Sequence, residues 1–323
     1  LRPLISIITP CFNSVDFIEQ TIDSVLSENY NYLEYIIIDG GSTDGTLDVI
    51  KKYEKHITYW VSEPDKGQSE AINKGISKSS GEIFNWINSD DYLEQGALEK
   101  IAAHFEDPKC KVVCGKSRNF SEHSSKISSG TDIFESLEKT IGQARIDQPE
   151  TWFRREAFVN TGLLSEKLHF LMDREWWIRY LLQYGLTGIV QTNDLLVHFR
   201  LHENSKTVAQ SKQFQIDHDT IFAAISENFG QPSLSQLIRS NFPTLTPYQF
   251  PQIESRTVDI YTVLQYYLLK RSHECYYAGE HSKASILLRE IAPSNFSIED
   301  QKLYKKIKFR NTPILSGIRR IVK

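Results

Sequence analysis

Cysteine is scarce in this chain, and long apolar runs are absent. Four cysteines among 323 residues, Cys11, Cys110, Cys114 and Cys275, are too few and too scattered for a disulfide framework. Cys110 and Cys114 have no second ligand pair to match them, which argues against a structural zinc site. No apolar stretch approaches the roughly 18–20 residues that cross a bilayer. The first residues run into a strand-like segment without a signal-peptide pattern, so a cytoplasmic setting is the expectation. Glycine is missing from Thr9–Asn13, where a dinucleotide fingerprint would need it. Gly115-Lys116-Ser117 looks like the end of a P-loop, but Cys110 stands where that loop's first glycine belongs. A nucleotide bound here would have to be held by carboxylates, metal and loop backbone.

Acid is missing from Gln301 to Lys323, a stretch that holds Lys302, Lys305, Lys306, Lys308, Arg310, Arg319, Arg320 and Lys323. The net charge of −4 therefore hides an acidic body and a basic end. That end, interleaved with Leu303, Ile307, Phe309, Ile314, Leu315, Ile318, Ile321 and Val322, has the makings of an amphipathic helix. Two readings stand side by side: a helix lying on anionic lipid at the inner face of the plasma membrane, or one docked on the protein's own surface with its lysines in water. Nucleic acid is not an expected partner, because the rest of the chain is acidic. With 40% hydrophobic and 11% aromatic residues, the chain can bury a sizeable core.

The first hundred residues alternate β-branched runs with amphipathic stretches, the pattern of βαβ units and a parallel sheet. Strands are expected at Leu4–Thr9, Glu34–Asp39, Thr58–Ser62 and Glu82–Asn88, and helices at Phe17–Leu26, Leu47–Tyr53 and Ser69–Ile76. Each strand ends in a polar cluster: Thr9–Asn13, Asp39–Gly45, Glu63–Gly67 and Asn88–Asp91. In an open α/β sheet, ligands bind outside the carboxyl ends of the strands, so the four clusters should meet in one crevice. Further on, Lys111–Gly115 and Glu150–Phe153 read as strands, Ser117–Ser129 as a loop, Asp173–Gln183 as a helix and Thr187–Phe199 as β-rich. Phe242–Pro251, with three prolines, reads as a linker. Val258–Ala278 and His281–Ile291 read as an α-hairpin turning at Gly279-Glu280. The expected division is a catalytic domain over 1–208 and a helical region over 209–323.

Asn88-Ser89-Asp90-Asp91 follows the apolar run Ile83–Ile87 and carries the strongest local chemistry. Carboxylates at a strand end suit a hard divalent cation with positions left open for substrate phosphate. A helix N-cap is the competing explanation of the same residues. Company favours the cation, since Asp39 and Asp65 sit at two other expected strand ends.

Together with Ile5–Asn13, Asp39–Thr46, Ser62–Gly67, Asn73-Lys74-Gly75, Gln148–Arg155, Met172–Arg179 and Arg200–Ser205, this motif resembles the inverting family-2 glycosyltransferases over most of the first 205 residues. The resemblance implies an α/β fold of GT-A type: a mostly parallel, open, twisted sheet flanked by helices, here with a helical C-terminal appendage. It implies transfer of a sugar from a nucleotide-diphosphate sugar to an acceptor hydroxyl, in cell-surface polysaccharide or glycan biosynthesis, with a glycan or lipid-linked glycan as acceptor. Thr9, Pro10, Asp39 and Asp65 would line the nucleoside pocket. Asp90 would meet ribose or donor-sugar hydroxyls, and Asp91 with His202 would hold Mn²⁺ or Mg²⁺. Asp173 corresponds to the general base. Trp152, Trp176, Trp177 and Glu175 are acceptor-side candidates, with a core role as the alternative for the tryptophans. Two departures, Gly40 where relatives carry a second acid and Ile72 where many carry arginine, leave the nucleobase open. A sugar nucleotidyltransferase would need a glycine- and arginine-rich loop that Thr9–Asn13 lacks. A glycan-binding scaffold on the same fold remains the other alternative.

Overall fold

The structure is a computed structural model that describes residues 2–143, 145–203, 205–206, 210–253 and 258–311. The chain divides into two units, Leu1–Asp132 with Arg145–Asp217, and Ile133–Ala144 with His218–Lys323.

The first unit opens with β1 (Ile5–Cys11), α1 (Ile18–Leu26), β2 (Leu33–Asp39), α2 (Thr46–Lys52), β3 (Tyr59–Ser62), α3 (Gln68–Lys78) and β4 (Ile83–Trp86). Every residue of β1 and β4 is buried, as expected of strands covered on both faces by crossover helices. α1 turns Ile18, Ile22 and Val25 inward at helical spacing. α3 crosses β1 so closely that a Cβ on Gly75 would lie 2.5 Å from the Ile8 side chain, which gives the glycine of Asn73-Lys74-Gly75 a packing reason.

β5 (Tyr92–Leu93), α4 (Ala97–His104), β6 (Val112–Phe120) and β7 (Ser125–Ile127) come next. After α5 (Leu137–Gln143), a member of the second unit, come β8 (Thr151–Arg154), α6 (Arg155–Thr161), α7 (Met172–Tyr184) and β9 (Ile189–Arg200). Among the described residues these strands form one nine-stranded sheet in the order β3-β2-β1-β4-β8-β6-β9-β5, with β7 paired to β6. β1, β2, β3 and β4 run parallel, β8 joins antiparallel, and β6 and β9 are parallel to each other. The chain steps outward from β1 to β3 and then returns to β4 on the other side of β1. The crevice at the carboxyl ends of β1 and β4 is therefore the topological switch point, where ligands of such sheets bind.

Two expectations are corrected. Ser117–Ser129 is not a plain loop: β6 continues to Phe120, pairs with Val197–Arg200 of β9 and turns back through β7. Its polar side chains hide the strand because one face meets solvent. Phe242–Pro251 is not a linker, because Phe242, Tyr248 and Phe250 are buried and the Leu245 N–H donates to Thr220 Oγ1 at 2.8 Å.

The second unit is helical, with α8 (Ser211–Asn228) bringing the chain into it, then α9 (Pro232–Asn241), α10 (Ile260–Tyr277), α11 (His281–Arg289) and α12 (Ile298–Arg310). α10 and α11 form the expected hairpin. Gly279 takes the left-handed conformation at its turn (φ 79°), and the Glu280 N–H returns to the Cys275 carbonyl at 2.8 Å. Buried Asp219 accepts from Tyr267 Oη at 2.8 Å and from Arg271 Nε at 3.0 Å, so the charge is paired inside the helices. Among the described residues no helix is long and apolar enough to cross a membrane. The basic residues beyond Asn311, including Arg319, Arg320 and Lys323, lie outside the described residues.

Candidate active site

The turn after β4 is built from the inside out. The Asp91 N–H closes it on the Asn88 carbonyl at 3.1 Å. Thr21 Oγ1 from α1 donates to the Ser89 and Asp91 carbonyls at 2.9 and 2.6 Å. The Asp91 side chain points inward, 1% exposed, and its Oδ1 accepts the Arg200 N–H of β9 at 2.9 Å. Burial and the neighbouring Asp90 carboxylate push the Asp91 pKa well above the usual carboxylate range. Asp90 faces the other way, and its Oδ2 lies 3.0 Å from His202 Nε2, with both side chains partly exposed.

The two aspartates thus point to opposite sides: Asp91 into the interior, Asp90 towards His202. The reason is the tight turn, which sends consecutive side chains to opposite sides while β9 claims the inner one. Among the described residues no cluster of three or more His, Cys, Asp or Glu could hold a metal by itself. The Asp90–His202 pair nevertheless fits two adjacent positions of an octahedral ion, whose neighbouring ligands at about 2.1 Å from the metal stand roughly 3 Å apart. The other positions would be left to substrate oxygens and water.

Arg200 braces this pair. Its Nε donates to the Asp90 carbonyl at 3.0 Å, and its guanidinium lies over the rings of Phe17, Tyr92 and Phe120. The Phe17 ring also packs on His202, with centroids 4.7 Å apart.

Asp173 stands in the first turn of α7, half-buried, with its Oδ1 accepting the Arg174 N–H at 2.7 Å. Burial raises its pKa to about 6 and Asp147 adds to the rise, so desolvation outweighs the pull of the helix N-terminus and of Arg174. The loop that delivers it is held at two points. Asn73 makes paired bonds with the main chain of Leu164 at 2.9 and 3.0 Å, and Asp217 Oδ2 accepts the Phe170 and Leu171 N–H groups at 2.9 and 3.1 Å. The Lys206 ammonium feels the Asp173, Asp217 and Asp90 carboxylates, each of which pulls its pKa up against burial.

On the nucleoside side the expected residues separate. Asp39 is fully buried and its oxygens are occupied: the Gly41 and Ser42 N–H groups donate at 3.0 and 2.9 Å, and Ser62 Oγ at 2.6 Å. Burial would raise its pKa, but the bonds from Ser42, Ser62 and the loop amides hold it below the usual value. Asp39 therefore shapes the loop after β2 and does not line an open pocket. Thr9 and Pro10 are likewise buried, with Thr9 Oγ1 3.1 Å from Tyr35 Oη, which leaves main-chain groups to face a ligand. Asp65 is the carboxylate on offer there. Its Oδ1 accepts the Gly67 N–H at 2.8 Å, and its Oδ2 would stand 2.9 Å from a Cβ on Gly40. Asp65 thus fills the space left by the missing side chain at position 40.

The acceptor-side candidates are corrected. Trp152, Trp176, Trp177 and Glu175 are at most 1% exposed. Trp176 stacks on Phe158 at 4.2 Å and donates to the Gly162 carbonyl at 2.9 Å, while Trp177 stacks on Tyr180 at 5.2 Å. Glu175 forms a buried two-pronged pair with Arg179 at 2.9 Å, and Arg179 in turn caps the Thr161 and Leu163 carbonyls at 2.7 Å. Sequence reasoning missed Asp147, raised to about 6 by burial, and Glu150, raised to about 7 by burial and by Asp147. Their only signal was proximity to Gln148-Pro149, whose glutamine ties this segment to Asn85 and Trp86 of β4 at 2.7 and 3.0 Å.

The open, mostly parallel sheet with flanking helices is of the GT-A kind. The chain belongs to glycosyl transferase family 2, which matches residues 6–180. It is 30% identical over 226 residues to TuaG of Bacillus subtilis (strain 168), a glycosyltransferase named for teichuronic acid biosynthesis, covering 63% of this chain and 81% of TuaG. In fold it is similar to residues 1–349 of S. aureus TarS in complex with UDP-GlcNAc (TM-score 0.60, 15% identity), covering 96% of this chain and 81% of that one, and 49% of the longer TarS chain. It is similar also to the mannosyltransferase PcManGT of Pyrobaculum calidifontis in complex with GDP-Man and Mn²⁺ (TM-score 0.56, 15% identity), covering 98% and 83% of the two chains.

The raised Asp173 pKa has a consequence for stability. Its folded value lies above the roughly 3.9 of an unfolded chain. The stabilisation it gives is therefore complete below about pH 4 and is lost as pH rises through about 6, where a desolvated carboxylate must ionise. Asp173→Asn should melt higher than the unsubstituted protein at pH 7.5, with the gain disappearing at pH 4. Equal melting temperatures at pH 7.5 in calorimetry would contradict the burial of this carboxylate.

Proposed function

We propose that the protein is an inverting glycosyltransferase of cell-surface polysaccharide biosynthesis. It would take a sugar from a nucleotide-diphosphate donor and place it on a glycan or lipid-linked glycan hydroxyl. What supports the reading is the pairing of Asp90 with His202, together with the pull that both Asp90 and Asp173 exert on the Lys206 ammonium. The name of TuaG supports the polysaccharide setting, and the nucleotide-sugar complexes of TarS and PcManGT support the donor class.

In this reading Asp173 takes the proton of the acceptor hydroxyl as its oxygen attacks the anomeric carbon from the side opposite the diphosphate. The bond from that carbon to the diphosphate oxygen breaks, and the configuration inverts. A pKa near 6 leaves Asp173 ionised at neutral pH and more basic than an exposed aspartate. Asp90 and His202 would hold the divalent cation, Mn²⁺ or Mg²⁺, which when bound offsets charge on the departing diphosphate. Asp65 and main-chain groups of Thr9–Asn13 would hold the nucleoside, and Asp147, which acts on Asp173, would border the acceptor side. The division into a catalytic domain and a helical region belongs to the same proposal.

Asp173→Asn should lower turnover by roughly 10²-fold or more, the scale of a general base, while donor affinity measured by calorimetry is kept. In the unsubstituted enzyme the rate should fall as pH drops through about 6 and Asp173 takes up a proton. Near-normal turnover of the variant would remove Asp173 from the mechanism. Donor binding without transfer to any acceptor would favour a glycan-binding scaffold, and a preference for nucleoside triphosphate would favour a nucleotidyltransferase.

The proposal includes attachment at the cytoplasmic face of an anionic membrane through the basic end. α12 buries Asp300, Tyr304 and Ile307 and leaves Lys302, Lys305, Lys306, Lys308 and Arg310 exposed, a cationic face of the kind that anionic headgroups attract. Lys302→Glu, Lys305→Glu and Lys306→Glu together should reduce co-sedimentation with phosphatidylglycerol-containing vesicles several-fold at low salt and leave binding to neutral vesicles unchanged. Unchanged binding to the anionic vesicles would make these lysines a solvated helix face only.

A further inference from the structure

Among the described residues, Lys206 of the proposed site is a cation whose charge no carboxylate neutralises by contact. Lys206 Nζ donates to two neutral oxygens, Gln68 Oε1 at 2.9 Å and the His169 carbonyl at 3.1 Å. Gln68 turns its amide nitrogen to Asn88 Oδ1 at 2.7 Å, so the ammonium is linked through one side chain to the turn that presents Asp90. Asn88 in turn donates its amide nitrogen to Asp91 Oδ2 at 3.3 Å, so the relay reaches a carboxylate only through two neutral side chains. The ammonium also lies 5.7 Å from the centre of the Phe170 ring. The other cations nearby are committed: Arg200 to the Asp90 carbonyl and three rings, and Lys74 to Glu63 at 2.7 Å. Partial desolvation pulls the Lys206 pKa below the usual lysine range against the opposing pull of Asp173, Asp217 and Asp90, while the residue remains reachable from solvent.

A lysine ammonium has three N–H donors, and two are engaged here by neutral acceptors. It feels both the carboxylate expected to act as base and Asp90 of the pair expected to meet the diphosphate. A crevice with Asp65, Asp90 and Asp173 in its walls would repel an anionic ligand unless positive charge offsets them. We propose that Lys206 is a donor-binding residue whose ammonium contacts the diphosphate of the nucleotide sugar, held ready for it by Gln68 and the His169 carbonyl. The inference rests on the reading of the crevice as a nucleotide-diphosphate-sugar site. It adds a second positive charge there, independent of any divalent cation. Lys206 would then stabilise the developing negative charge of the departing nucleoside diphosphate as well as the bound donor, by a charge-assisted hydrogen bond.

The test compares ligands that differ only in phosphate. Uridine, UMP and UDP, and the guanosine series alongside, are titrated by calorimetry into the full chain and into Lys206→Ala and Lys206→Arg, in EDTA so that no divalent cation contributes. Lys206→Ala should lose about 10-fold or more in diphosphate affinity, with nucleoside affinity unchanged, and Lys206→Arg should recover most of the loss. The salt dependence of diphosphate binding should also flatten in the alanine variant. Diphosphate affinity within twofold of the unsubstituted protein would overturn the proposal. An equal fall for nucleoside and diphosphate would overturn it too, because it would mark Lys206 as a brace for the loop. If the unsubstituted protein binds no nucleoside diphosphate with or without Mn²⁺, the proposed function itself fails and this inference falls with it. Binding by the unsubstituted protein that is indifferent to Lys206 refutes the inference alone.

Discussion

A carboxylate buried at the end of a central strand has to find donors inside the protein, and Asp91 finds one in the Arg200 main-chain N–H at 2.9 Å. An unpaired charge there would be strongly destabilising, so the bond fixes where β9 meets the turn after β4. Three consequences come from that one contact. Asp90, one residue earlier, is sent to the opposite side. His202, two residues beyond Arg200, arrives at 3.0 Å from it. The Arg200 side chain, with its backbone held, folds across Phe17, Tyr92 and Phe120 and closes the wall behind the pair. The accessible chemistry of the crevice is thus positioned by an inaccessible carboxylate.

The same separation of labour recurs around the site. Asp39 spends its oxygens on the loop after β2, Asn73 pins Leu164, Gln148 ties its segment to β4, and Glu175 with Arg179 locks α7 to the end of α6. Each polar group is buried and paired, so each adds rigidity without being open to substrate. Asp65, Asp90, His202, Asp173 and Lys206, the groups of the proposed site, keep some contact with solvent. Their partial burial carries a cost in desolvation, seen in the raised pKa values of Asp65 and Asp173 and the lowered one of Lys206.

Much of the fold was legible in the sequence, for physical reasons that also mark where legibility ends. The parallel core strands are β-branched runs buried on both faces, and their ends carry turn residues, so the crevice could be located before any contact was known. Hairpin β6–β7 escaped notice because serine, arginine and asparagine side chains give no apolar alternation to read. The orientation of Asp90 against Asp91 was not readable either, since it depends on an N–H 109 residues away. The tryptophans near Asp173 had the composition of sugar-stacking residues, and only their packing against Phe158 and Tyr180 shows them to be core. Lys206 had no local signal at all: its partners come from α3 and from the loop before α7.

Anomalous diffraction from crystals grown with Mn²⁺ and a bound nucleoside diphosphate tests the central claim most directly, because it locates the ion without reference to any assumed ligand. The account predicts one strong peak shared by the Asp90 carboxylate and His202 Nε2, at about 2.1–2.2 Å from each, with Asp91 still bonded to the Arg200 N–H. A peak on Asp91, or one remote from His202, would contradict it.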